Sequence, residues 1–127
     1  MTFRGYAAII ILVVAIIITA SGTFYLYKIT NSLSSIIDEG IEFITNKQYE
    51  KAEKEYIDFT ELYNKNKMML SVFINDNHIK SINLSVEKLS ETFESNFEET
   101  LLTEFKELSE NVKNIYNDYK ISIESIF

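Results

Sequence analysis

Residues 5–27 read GYAAIIILVVAIIITASGTFYLY, a stretch of 23 residues without a charged side chain. At a rise of about 1.5 Å per residue, a helix of this length extends about 34 Å and can cross a hydrocarbon core of about 30 Å. The many Ile and Val residues do not prevent helix formation there, because lipid offers the backbone no other hydrogen-bond partners. The stretch therefore predicts an N-terminal transmembrane helix.

Aromatic residues follow at the end of this stretch. Phe24, Tyr25 and Tyr27 are expected in the interfacial belt where aromatic rings concentrate, and Lys28 can extend its ammonium group towards the headgroups. Residues 1–28 are thus predicted to form a transmembrane anchor that contacts membrane lipid through residues 5–27.

A cleaved signal peptide is the alternative interpretation of this segment. Arg4 supplies a short basic region, an apolar run follows it, and Ala20-Ser21-Gly22 resembles a small-residue cleavage site. Apolar and aromatic residues continue past that site, which favours a retained, uncleaved segment. If the segment were cleaved there, a product that begins at Thr23 would be a secreted helical protein.

The charges around the segment predict its orientation. Arg4 and the terminal amine precede it, whereas only Lys28 follows closely, ahead of Asp38 and Glu39. Because basic residues favour the cytoplasmic side of a membrane, the N-terminus is expected in the cytoplasm. The body, residues 29–127, is then a single extracytoplasmic domain at the cell membrane.

The body is acidic and lacks residues that many functions need. Beyond residue 28, 19 acidic residues face ten lysines, so phosphate backbones are repelled and nucleic acid is not an expected partner. The chain has no cysteine, which excludes thiolate metal sites, and only one histidine, His78, which excludes a metal site with more than one imidazole. It also lacks a Gly-rich phosphate loop and a calcium-binding loop. We therefore expect no enzyme activity and no catalytic, cofactor-binding or metal-ligating residues.

Apolar residues of the body recur at three- and four-residue spacings, the period of an amphipathic helix. Four such stretches cover the body, and the first is expected to continue from the membrane helix. Their apolar positions are Ile29, Leu33, Ile36, Ile37, Ile41 and Ile44; Tyr49, Ala52, Tyr56, Phe59, Tyr63, Leu70 and Phe73; Ile79, Ile82, Val86, Leu89 and Phe93; and Leu101, Phe105, Leu108, Val112, Ile115 and Tyr119. A short tail is expected after the fourth stretch.

Polar residues separate the four stretches and mark helix ends. The breaks fall at residues 45–47, 75–77 and 95–96, where Asn or Asp can cap the next helix. Glu98 and Glu99 are expected in the first turn of the last helix, where carboxylates complement its dipole. Turns this short place neighbouring helices antiparallel, which predicts two helical hairpins.

The first hairpin has a further resemblance. Tyr49, Ala52 and Tyr56 are similar to the start of the second helix of a tetratricopeptide repeat, although Phe59 stands where that repeat usually has a small residue. The predicted fold class is therefore all-α, with an N-terminal transmembrane helix followed by two antiparallel hairpins in a four-helix, tetratricopeptide-like packing.

Three tyrosines lie seven residues apart on the second helix. Tyr49, Tyr56 and Tyr63 thus share one face, which we call the tyrosine stripe. Core packing with each hydroxyl at the edge is the simpler interpretation. The functional alternative is an aromatic interface for a partner helix, so these three are the candidate interface residues.

Several motifs resemble an uncharacterised bacterial family, domain of unknown function DUF4363. They are Tyr49-Glu50-Lys51-Ala52, Leu70 with Phe73-Ile74, and Ile82 with Ser85 and Leu89, all behind an apolar N-terminal segment. The chain departs from the family pattern at Asn75-Asp76, where Asp-His is usual, and at Met69, where tryptophan is usual. The resemblance implies the architecture and brings no assigned activity.

The sequence favours a membrane-tethered helical module that binds another membrane or envelope protein. A composition rich in Ile, Asn, Lys and Tyr is typical of AT-rich bacterial genomes, so the bacterial envelope is the expected setting. The alternative is an extracytoplasmic ligand-sensing domain like the four-helix sensor domains of chemoreceptors. Those domains normally return through a second membrane helix, which the residues after 27 do not provide.

Overall fold

The chain forms four α-helices in a computed structural model that describes residues 2–126. They are α1 (Phe3–Thr45), α2 (Tyr49–Phe73), α3 (Asp76–Ser95) and α4 (Leu101–Ile126), with a short 3-10 turn at Glu98–Thr100 before α4. No strand occurs among the described residues. The all-α prediction and the positions of the three breaks are confirmed.

Helix α1 runs without interruption through two environments. Within the described residues it is the one helix long and apolar enough to cross a membrane, and only 6% of its most apolar 18-residue window is buried. Beyond Gly22 the same helix carries a regular buried stripe that includes Leu26, Leu33 and Ile37. The expected continuation of the apolar N-terminal helix into the body is therefore confirmed.

The turns are closed by local hydrogen bonds rather than by glycine. Lys47 adopts a left-handed conformation at φ 60°, and Gln48 N–H donates to the carbonyl of Phe43 at 2.8 Å. Asn96 closes α3 in the same way at φ 56°, a conformation that asparagine tolerates better than most residues. Asn75 accepts a bond from Asn77 N–H at 3.0 Å and so caps α3, as the sequence predicts.

Helix α1 is the central element of the body. It packs extensively against both α2 and α4, α3 packs against α4, and α2 meets α3 over a smaller surface. The two predicted hairpins are present, but contact between the first and last helices closes them into a bundle. Tetratricopeptide hairpins stack so that each unit touches only its neighbours. The bundle therefore differs from the tetratricopeptide-like packing suggested by residues 49–56.

The body begins earlier than the boundary at residue 28 that hydropathy suggested. Gly22 is buried, and a Cβ atom there would lie 2.7 Å from Cε1 of Phe73. Tyr25 donates a hydrogen bond to Oδ1 of Asn66 at 2.9 Å, so its hydroxyl is held by α2. Hydropathy could not place this boundary, because a transmembrane span and a buried helix are both apolar.

The fourth helix also differs from its prediction at both ends. Glu98 and Glu99 lie in the 3-10 turn rather than in the first turn of α4. The tail expected after Tyr119 is helical as far as Ile126. Its apolar positions continue at helical spacing, which is why the helix extends. Phe127 lies outside the described residues.

Candidate interaction cleft at the end opposite the apolar segment

The structure gives the three residues of the tyrosine stripe different environments. Tyr63 is buried at 1% exposure, whereas Tyr49 and Tyr56 are half-buried. Because α2 runs antiparallel to α1, Tyr63 lies nearer to the exposed apolar segment of α1 and Tyr49 lies at the opposite end of the body. The stripe therefore passes from core to surface along its length.

Two of the three tyrosines are held by α3. Tyr56 donates its hydroxyl proton to the carbonyl of Val86 at 3.0 Å, and its ring lies 5.3 Å from that of Phe93. Tyr63 donates to Oδ1 of Asn83 at 3.0 Å. Burial raises the pKa of Tyr63 to about 12, because desolvation disfavours the phenolate. Both side chains are engaged within the chain, which leaves Tyr49 as the stripe residue nearest to an open surface.

Tyr49 lines a cleft at the end of the body farthest from the exposed apolar segment. The cleft has a volume of about 210 Å³ and lies where the start of α2 meets the end of α3 and the start of α4. We call it the distal cleft. Its lining residues are Tyr49, Glu50, Glu53, Thr92, Phe93, Asn96, Glu98 and Leu101.

The distal cleft combines an apolar floor with a negative rim. Glu50, Glu53 and Glu98 are exposed carboxylates. Thr92, which also lines the cleft, donates a hydrogen bond to Oε1 of Glu104 at 3.0 Å. The buried Oε2 of Glu104 has no hydrogen-bond partner among the side chains and backbone of residues 2–126. The cleft thus offers several acceptors and suits a cationic side chain that has an apolar stem.

His78 lies in the first turn of α3, as expected for the only histidine. Its Nε2 is 2.9 Å from Oδ2 of Asp118, and this contact joins the start of α3 to α4. Within residues 2–126, no group of three or more His, Asp or Glu side chains is placed to hold a metal ion. A single imidazole beside one exposed carboxylate gives the body a contact between two helices rather than a recognisable catalytic group.

One carboxylate pair does stand out on the α1–α2 surface. The pKa of Glu55 is raised by desolvation, then by repulsion from Glu39 and Asp58 and by a hydrogen bond with Glu39. The sequence alone does not identify this pair, because Glu39 and Glu55 are 16 residues apart and lie on different helices. Both side chains lie on an open face, and Glu39 is exposed, so no enclosed pocket separates a substrate from water around them.

A model of the family described as domain of unknown function (DUF4363) matches residues 21–126. The chain belongs to this family. The matched range starts one residue before Gly22, where α1 first packs against the body, so the DUF4363 domain coincides with the bundle and not with the exposed apolar segment. No curated protein matches the chain, and no solved structure does.

Sequence reasoning identified Tyr49 but missed the residues that surround it. Glu50 and Glu53 looked like a solvated acidic face, and nothing in the spacing connected them to Glu98, 45 residues later. The one sequence signal near the cleft was the break at Ser95-Asn96. In the structure Asn96 adopts a left-handed conformation there, and the end of α3 and the start of α4 lie beside the start of α2.

Proposed function

We propose that this DUF4363 protein is a single-pass membrane protein whose helical body binds a basic segment of another membrane or envelope protein. One observation carries the proposal. The same unbroken helix is exposed and apolar over residues 3–21 and then becomes the central helix of the body. A soluble protein rarely exposes so much contiguous apolar surface, whereas a bilayer buries it.

The proposed orientation places the N-terminus in the cytoplasm and the body outside it. Arg4 precedes the apolar segment and Lys28 is the only charge that follows within the next nine residues. Lysines farther along the chain count little in the positive-inside rule, because large domains translocate largely regardless of charge.

The distal cleft is the proposed binding surface for the partner. Residues 31–63 and 83–113, which form the part of the body away from the membrane, contain 16 acidic residues and six lysines. Such a surface attracts a basic partner and repels acidic ones. Tyr49 and Phe93 add apolar contact area, which carboxylates alone would not provide.

The membrane anchor is tested by fractionating native membranes. The protein should remain in the pellet after alkaline carbonate extraction, and its mass should include residues 3–21. A soluble product that begins near Thr23 would overturn the anchor in favour of a cleaved signal peptide.

The orientation is tested with a cysteine at the exposed position Glu110. The native chain has no cysteine, so Glu110→Cys provides a single reactive thiol. An impermeant maleimide should label it on intact cells. Labelling only after lysis would place the body in the cytoplasm.

The binding surface is tested by photo-crosslinking in native membranes. A photoreactive residue at position 53 should crosslink to one partner protein, and the same residue at position 110 should not. Glu50→Lys in the position-53 background should abolish the crosslink, because it reverses one charge of the rim. Glu107→Lys changes the net charge equally on α4 and serves as the control. Equal loss with both variants would argue against the distal cleft.

A further inference from the structure

The end of the body next to the membrane segment differs in composition from the rest. Gly22 contacts Phe73 near the end of α2 and Tyr119 near the end of α4, and His78 joins the start of α3 to Asp118. These contacts bring residues 22–30, 64–82 and 114–126 together at the end of the body that adjoins the apolar segment. We call this region the base.

Exposed apolar side chains are concentrated at the base. Six of the nine exposed large hydrophobic residues beyond Gly22 lie there, although the base contains fewer than half of the residues of the body. Met68 is 84% exposed, Val72 is 72% exposed and Phe24 is 68% exposed. The six are Phe24, Tyr27, Met68, Met69, Val72 and Ile121.

The charge of the base also has the opposite sign from that of the remaining body. The base contains five lysines and three acidic residues, whereas residues 31–63 and 83–113 contain six lysines and 16 acidic residues. Lys65 and Lys67 lie within one turn of Met68 and Met69 on α2. Lysine near exposed apolar side chains is the composition of surfaces that lie in the headgroup region of a bilayer.

The length of the apolar segment fixes the height of the base above the membrane. Residues 5–21 rise about 26 Å as a helix, a little less than the roughly 30 Å of a hydrocarbon core. No residues are left for a spacer, because the helix continues directly into the contacts of Gly22. Unlike a flexible linker, this continuous helix holds the base against the membrane.

From these observations we propose that the base is a lipid-binding collar in which Met68, Met69, Val72, Phe24 and Ile121 enter the headgroup region and the nearby lysines bind lipid phosphates. The proposal rests on the membrane anchor proposed above. The apolar residues belong to three helices at the same end of the body, so a bilayer can contact all of them together. Val72 adjoins Phe73 at the level of Gly22, and Met68 is about 6 Å farther up α2, within the 5–10 Å depth of interfacial helices.

Tryptophan fluorescence tests the collar, since the chain has no native tryptophan. The full chain is reconstituted in vesicles of phosphatidylcholine and phosphatidylglycerol with brominated acyl chains, which quench tryptophan on contact. Met68→Trp should emit at shorter wavelength and be quenched several-fold more strongly than Ile57→Trp. Ile57 is the matched control, because it is an exposed apolar residue on the same helix, about 16 Å farther from the membrane.

A third variant separates failure of the collar from failure of the anchor. Leu12→Trp, in the middle of the apolar segment, should be quenched strongly. If Leu12→Trp is quenched and Met68→Trp behaves like Ile57→Trp, the collar is overturned and the anchor stands. If Leu12→Trp is not quenched, the anchor itself is overturned. Emission of Met68→Trp at short wavelength without quenching would mean that protein covers the base, which also overturns the collar.

The lysines are tested in the Met68→Trp background. Replacing Lys65 and Lys67 together by Glu should reduce the quenching, because two phosphate contacts become repulsive. Replacing Lys51 and Lys54 together by Glu, far from the base on the same helix, should leave it unchanged. Equal quenching in all three proteins would overturn the role of the lysines.

Discussion

The two halves of α1 are both rich in Ile, Leu and Val, yet they differ in where those residues point. Residues 3–21 are apolar on every side and almost entirely exposed. Residues 22–45 restrict their buried side chains to one stripe, with Asp38, Glu39 and Glu42 outside it. The two halves of one continuous helix thus have surfaces that suit different surroundings. An apolar circumference fits lipid, and an apolar stripe fits a protein core with water on the other side.

The largest expected effect comes from a charge in the second half of this helix. Leu33 is fully buried, and Leu33→Lys should cost about 4 kcal/mol of stability, since it buries an unpaired charge. The total free energy of unfolding of a domain of this size is about 5–15 kcal/mol. In detergent micelles the cooperative unfolding seen by circular dichroism should therefore weaken or disappear. An unchanged melting curve would mean that Leu33 does not lie in a core.

The same substitution in the first half should spare the body and harm insertion. Leu12→Lys should cost about 3 kcal/mol on transfer into the membrane, and the share of protein that resists carbonate extraction should fall. Its melting temperature in micelles should match that of the unchanged chain. Leu84→Lys, at an exposed position on α3, is the control and should remain in the membrane. Normal retention of Leu12→Lys would contradict the division of α1 into two halves.

The two buried glycines of the second half should differ in their tolerance of alanine. A Cβ atom at Gly40 would lie 2.6 Å from Cε1 of Phe105, whose ring is buried. The added methyl group should cost about 2 kcal/mol of stability through overpacking. This cost should exceed the gain of about 1 kcal/mol that comes from the higher helix propensity of alanine. Gly40→Ala should therefore melt at a lower temperature. In Gly22→Ala the new methyl group would contact the ring of Phe73, which is half-buried and can change its side-chain conformation. The change in melting temperature should therefore be close to zero. A larger loss at Gly22 would show that the base packs more rigidly than the middle of the body.

The smallest effect concerns Glu39, one of the carboxylates that only the second half carries, and its neighbour Glu55 on α2. The pKa of Glu55 is raised in the folded body by desolvation and by Glu39, so ionised Glu55 opposes folding at pH values above its folded pKa. That penalty disappears as the pH falls through the folded pKa towards the unfolded one. Glu55→Gln should thus stabilise the body slightly at neutral pH and have no effect in acid. Glu61→Gln, at an exposed position on the same helix, is the comparison. Stabilisation that persists in acid would need another cause.

Local sequence determined much of this fold. The periodicity of apolar residues gives four helices, and the polar breaks locate all three turns to within a few residues, because capping and helical amphipathicity depend on neighbours along the chain. Uniform hydropathy likewise identifies residues 5–21 as a candidate membrane span, since lipid would surround such a helix on every side.

Only the tertiary structure decided which surfaces remain free. The spacing of Tyr49, Tyr56 and Tyr63 is regular, yet α3 buries Tyr63 and leaves Tyr49 beside an acidic cleft. The start of the body at Gly22 depends on Phe73 and Tyr119, which are 51 and 97 residues away. The lysines of the base are likewise scattered along the chain. Periodicity shows which side of a helix is apolar and will be buried. Which helix packs against that side, and at which residues, is set by packing between distant parts of the chain.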